Sequence, residues 1–163
     1  MSLKRITTSY SPEEDRLAIV GEQDNGAAVR IWITKRISDQ LVSHFIKIIT
    51  PNCEDSFYAE LAAGAALKQA IAKRIPQEPV PLDKIGEEWL VSKVEVKASS
   101  KAVTLVFEGG DSFQTNLSMN ADGLRNWLSI IRNTYEKAGW SRAGWPGWLA
   151  RQSSPLPSDR VLH

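Results

Sequence analysis

The chain has 163 residues, a single cysteine and a formal charge of +1, with 42% hydrophobic and 24% charged residues. That length suits one domain, which should bury roughly 70% of its unfolded surface and so fold without a disulfide or a metal. A near-neutral charge gives no global field for nucleic acid or an anionic membrane, and no stretch approaches the ~18 apolar residues of a spanning helix.

Cys53, having no partner thiol, fits a reducing, cytoplasmic setting, and the first eight residues lack the apolar core of a signal peptide. Residues 4–10, rich in threonine, predict a first strand that stops at Ser11-Pro12. Residues 16–20 (Arg-Leu-Ala-Ile-Val) predict a second. Asp24-Asn25-Gly26 then tolerates the positive φ of a tight hairpin turn, and Val29, Ile31 and Ile33 share one face of a third strand.

At Thr34 the period changes. Ile37, Leu41, Phe45, Ile48 and Ile49 recur at helical spacing, with Thr34 as cap and Thr50-Pro51 as stop. Asp55 or Ser56 caps a second helix whose predicted stripe is Phe57, Leu61, Gly64, Ala65, Lys68, Ile71 and Ile75. Gly64 should cost ~1 kcal/mol against alanine, which points to a close contact there. The helical hairpin thus spans residues 34–75.

Residues 76–86 hold three prolines and predict an extended surface connection. Strands follow: Leu90, Val94 and Val96 alternate with Lys93, Glu95 and Lys97; then come Val103, Leu105 and Phe107; and, after Gly109-Gly110-Asp111, Phe113, Thr115, Leu117 and Met119. Asn120 caps a last helix carrying Leu124, Trp127, Leu128, Ile131, Tyr135 and Ala138, and Gly139 ends it. One domain over residues 1–148 and a poorly ordered tail over 149–163 complete the reading.

Reactive chemistry finds little support in these residues. His44 lies on the first helix and Cys53 in the turn after it; a nucleophilic pair would need them in contact, with a third group orienting the base. Glu13-Glu14-Asp15 and Glu87-Glu88 lack the staggered oxygen spacing of a hard-cation loop. Gly109-Gly110 precedes a strand, so no helix N-terminus stands ready for phosphate. Neither a metal nor a cofactor is called for. The helical hairpin invites a DNA-reading comparison, and Lys35, Arg36 and Lys47 could meet a backbone, but the alanine-rich second helix carries Glu60 and no base-reading side chains at its start.

Trp140, Trp145 and Trp148, each preceded by glycine, follow the last helix where the core pattern has ended. Tryptophan is favoured at binding hot spots for its large area and polar edge, so these three are the candidate partner-binding residues; the competing reading folds them back over the domain. The fold class is α+β: an antiparallel β-sandwich or partly open barrel with an inserted helical hairpin and a C-terminal amphipathic helix. This order of elements, over residues 4–138, resembles the head domain shared by the scaffold proteins of DNA end joining and the centriolar cartwheel protein, and more loosely small bacterial proteins of undefined activity. The resemblance implies a scaffold-type head; the helix stop at Gly139 departs from the long coiled-coil stalk of that family. The expected function is a non-enzymatic interaction or assembly domain whose partner is itself or another protein, with nucleic-acid association and an enzyme with an unrecognised pocket as the alternatives.

Overall fold

Strands give way to helices where the hydrophobic period shifts from two to between three and four. A computed structural model describes residues 1–150 and gives strands β1 (Ser2–Ser11), β2 (Arg16–Gln23) and β3 (Ala28–Ile33), then helices α1 (Lys35–Ile49) and α2 (Ser56–Lys73). Strands β4 (Ile85–Ala98), β5 (Val103–Gly109) and β6 (Phe113–Met119) follow, with helix α3 (Ala121–Ala138) and a short helical turn, α4 (Gly147–Ala150). No described helix is long and apolar enough to cross a membrane. The expected tail over 149–163 lies outside the described residues from Arg151 onward. Leu149 is fully buried, so the packed core reaches past residue 148.

The six strands of the described residues belong to one sheet. Pairing is antiparallel from β1 through β3 and from β4 through β6, and parallel between β3 and β4. The ladder returns from β6 to β1 through a short parallel contact of Leu3 with Leu117 and Ser2 with Asn116. The α+β class with an inserted helical hairpin is therefore observed, but the sheet is mixed where an antiparallel one was expected. Alternation along a strand reports which face is wet and says nothing of direction. Here α1 and α2 carry the chain back to the starting end of β3, and a crossover of that kind makes the next strand parallel.

The chain repeats one plan twice: three antiparallel strands, a capping side chain, an amphipathic helix. Thr34 accepts from the Ile37 backbone N–H and Asn120 from that of Gly123. Counted from each cap, the buried residues Ser38, Leu41, Val42, Phe45 and Ile49 of α1 fall at the same offsets as Leu124, Trp127, Leu128, Ile131 and Tyr135 of α3. The two helices meet across the core, where the Phe45 and Trp127 rings lie 5.5 Å apart.

Three local expectations change. On α2 the buried face is Ala59, Ala63, Leu67 and Ala70, while Phe57, Leu61, Ala65 and Lys68 face outward; Ile75 lies beyond the helix end and is exposed. A helix apolar on most of its circumference has no unique face to read from periodicity, and the alanine side lets α2 approach α3 closely. Gly64 does sit at a close contact, with a Cβ there only 3.2 Å from Trp148 Cβ. In β4 a bulge between Val91 and Lys93 inserts one residue, so Val91 is buried and Leu90 is 45% exposed, while Val94 and Val96 point inward as expected. The connection after α2 is not wholly surface: Val80 is buried on Val20 and Ala28, and its N–H donates to Thr7 Oγ1 at 2.9 Å.

Gly139 ends α3 with φ of +69°, its N–H bonded to Glu136 O, and open space where a Cβ would stand. Gly139→Ala should therefore lose only conformational energy, about 1 kcal/mol. Urea unfolding should show a lower midpoint with an unchanged slope.

Candidate functional site

The three late tryptophans fold back on the domain. All are half-buried and pack against the main core. Trp140 meets the Tyr135 ring edge-on at 5.2 Å and the Tyr10 ring at 5.6 Å, and Trp145 lies 4.9 Å from Tyr135. The Trp140 Nε1–H donates to Asp15 Oδ1 at 3.2 Å, and the Tyr10 hydroxyl donates to the same oxygen at 2.7 Å. Asp15 holds this geometry from a left-handed position, φ +50°, in the β1–β2 turn. Its hydrogen bond, ahead of burial and its charge, pushes the Tyr10 phenol up from its ordinary value. Trp148 lies against Gly64 of α2. The large apolar area that singled these residues out in the sequence thus has intramolecular partners.

Tyr135 is the hub beneath them. It is fully buried, and its hydroxyl lies 2.7 Å from Asp39 Oδ1 and 2.9 Å from Ser38 Oγ, both on α1. With one proton to give, the phenol donates to the carboxylate and accepts from the serine. Burial, then the hydrogen bond to Asp39, pushes the phenol well above its ordinary value. The other Asp39 oxygen takes Lys35 Nζ at 2.6 Å.

The candidate reactive groups are kept apart. His44 is exposed, with Nδ1 3.3 Å from the Gln40 carbonyl one turn earlier, and the Cys53 thiol donates to the Asp55 carbonyl at 3.2 Å. Of the acidic runs, Glu13 accepts from Ser11, Glu14 pairs with Arg16, Glu87 accepts from the Trp89 indole and Glu88 pairs with Arg30. Among the described residues no group of three His, Cys, Asp or Glu side chains could hold a metal ion.

Among the described residues, two uncovered surfaces bear on function. The outer face of α2 exposes Phe57 (73%), Tyr58 (60%) and Leu61 (62%), continued by Ala65 and Ala72. Its charges divide by end: Glu54, Asp55 and Glu60 toward the start, Lys68, Lys73 and Arg74 toward the finish, and none of the six has an ion pair among the described residues. The second surface is a shallow groove of about 610 Å³ between α1 and β4. Arg36, Gln40, Ser43 and Lys47 form its helical wall, and Leu41, Val94 and Val96 its apolar floor. Sequence reasoning placed Arg36 and Lys47 on the first helix and noted Glu60, but missed both surfaces. The division of charge along α2 and its all-round apolarity were the legible signals. Comparison of the chain with protein-family models, with curated proteins and with solved structures found no match.

Proposed function

We propose that this chain is a non-enzymatic assembly domain, a small closed barrel with a helical flank, that self-associates through the outer face of α2. The exposed Phe57, Tyr58 and Leu61 carry this reading. A helix apolar around most of its circumference is a buried helix, and here one face has nothing over it among the described residues. The divided charge supports a second copy as the cover. A two-fold axis beside Gly64 and Ala65 would set two α2 helices antiparallel, with Glu60 opposite Lys68 and Asp55 opposite Lys73. Isologous contact of this kind is the commonest way that copies of one chain pair. The engagement of His44, Cys53 and the acidic runs with structural partners favours assembly over catalysis, as does the likeness in element order to scaffold heads.

Sedimentation velocity tests it. The wild-type chain is expected to be dimeric at tens of micromolar, by analogy with modest isologous interfaces. Leu61→Glu should be monomeric with unchanged far-ultraviolet circular dichroism, since the position is exposed. Glu60→Lys should weaken the dimer and Glu60→Lys/Lys68→Glu restore it, because both pairs are then reversed together. A wild-type chain that stays monomeric up to millimolar concentration would sink the reading.

A further inference from the structure

The outer half of β4 has an open edge, distinct from the α2 face. We propose that the groove between α1 and the outer half of β4 docks an acidic, extended peptide segment of another protein, which adds a strand to β4. The strand is used in two parts. Ile85 to Leu90 pairs with β3, and from Val91 to Ala98 the partner is β5 alone. The other edge of Lys93 to Ala98 receives no backbone hydrogen bond among the described residues. An edge of that kind is a template for an added strand, with main-chain bonds giving affinity and flanking pockets giving selectivity.

The wall beside the edge sets the chemistry of the guest. Arg36, Gln40, Ser43 and Lys47 share one face of α1, and Arg36 and Lys47 have no carboxylate partner among the described residues. Asp39, the groove's one acid, has both oxygens taken by Lys35 and Tyr135. Lys93 adds a third cation, paired only with Glu108 at 3.5 Å while 63% exposed. Arg36 and Lys47 stand eleven residues apart, about 16 Å along the helix, which about five extended residues would span. Two carboxylates flanking a few β-branched residues therefore match the two cations and the Val94–Val96 floor. Lysines on an edge repel basic strands and lose hydration without compensation against uncharged ones, so the same residues that guard the edge select an acidic guest.

The twin corner shows what an occupied site looks like. α3 lies beside β1 as α1 lies beside β4. There Trp127 fills the space, and its Nε1–H donates to Thr8 Oγ1 at 2.9 Å. Leu41 occupies the same offset from its cap as Trp127, and its smaller side chain leaves the α1–β4 corner unfilled. A peptide suits the vacancy better than nucleic acid, since an edge alternating N–H and C=O is satisfied by another strand, and the floor is apolar.

Selection of random seven-residue peptides against the full chain tests this. The Leu61→Glu variant serves as a second bait, so that self-association and groove binding fail separately. The expected winners carry two acidic residues four to six apart around β-branched residues, on both baits. Adding a winner should shift the amide resonances of residues 93–98 and 36–47. Arg36→Glu/Lys47→Glu, both exposed, should weaken binding about tenfold or more with an unchanged fold, and N-methylation of alternate peptide amides should abolish it. No enriched peptide, winners indifferent to the charge reversal or to N-methylation, or resonance shifts confined to α2 would overturn the proposal. So would displacement of a winner by a twelve-residue thymidine oligonucleotide with steep salt dependence, which would assign the groove to nucleic acid.

Discussion

Tyr135→Ala should destabilise the domain by about 3–5 kcal/mol, the range for truncating a buried aromatic side chain. The ring is fully buried and is the shared platform for Trp140 and Trp145, while its hydroxyl ties α3 to Ser38 and Asp39 of α1. Removing it leaves a cavity, strands a carboxylate beside Lys35, and frees two indoles from one side at once. The effect should show in the tryptophan emission as a red shift before global unfolding, because Trp140 and Trp145 both rest on that ring. Tyr135→Phe separates the terms: the cavity stays filled, only the phenol's bonds go, and the loss should be about 1–2 kcal/mol.

The same hydroxyl makes stability depend on alkaline pH. Burial and Asp39 raise the Tyr135 phenol in the folded chain, so folding favours its protonated form. Its contribution is fully present below the unfolded tyrosine value of about 10 and is lost progressively as pH rises above it. Tyr135→Phe should flatten the fall in urea midpoint above that pH relative to the wild type. An equal slope in wild type and Tyr135→Phe would remove Tyr135 as the cause.

Much of this fold was legible because local and global preferences agree. Thr34 and Asn120 cap helices at the very places where periodicity changes, and the Gly26 and Gly139 backbones adopt the positive φ their turns require. The bulge at Ser92 shifts parity by one residue, and no residue type marks it in advance; only the exposure of Leu90 and burial of Val91 reveal it. On α2 periodicity and size point Phe57 and Leu61 to the core, because burial of large apolar groups is the usual rule. The helix instead buries its alanines, since a short interaxial distance needs small residues at the contact. Strand direction was invisible for the reason that alternation has no polarity. The candidate surfaces arise from those three unreadable features: the outward face of α2, the bulge of β4, and the parallel joint beside it.

Trp127→Ala tests whether the two halves of the chain fill equivalent corners by different means, and it should cost about 3–5 kcal/mol. The indole is 4% exposed, packs 5.5 Å from the Phe45 ring and donates to Thr8 on β1. It therefore joins α3 both to α1 and to the strand beside it. Trp127→Leu recreates the residue found at the matching position of α1, where Leu41 stands. That variant keeps an apolar plug and loses the hydrogen bond and part of the volume, so an intermediate loss of about 2 kcal/mol is expected. At roughly 2–4 °C per kcal/mol for a domain of this size, the two variants should separate clearly in thermal unfolding. The exchange of Thr8 for valine removes the acceptor but keeps the strand, and in combination with Trp127→Leu should add little, since both changes delete one bond. If Trp127→Leu proves as damaging as Trp127→Ala, the corner depends on the indole's bond to β1 more than on its bulk. The α1–β4 groove, which has a leucine and no such bond, would then owe its openness to the missing donor as much as to the missing volume.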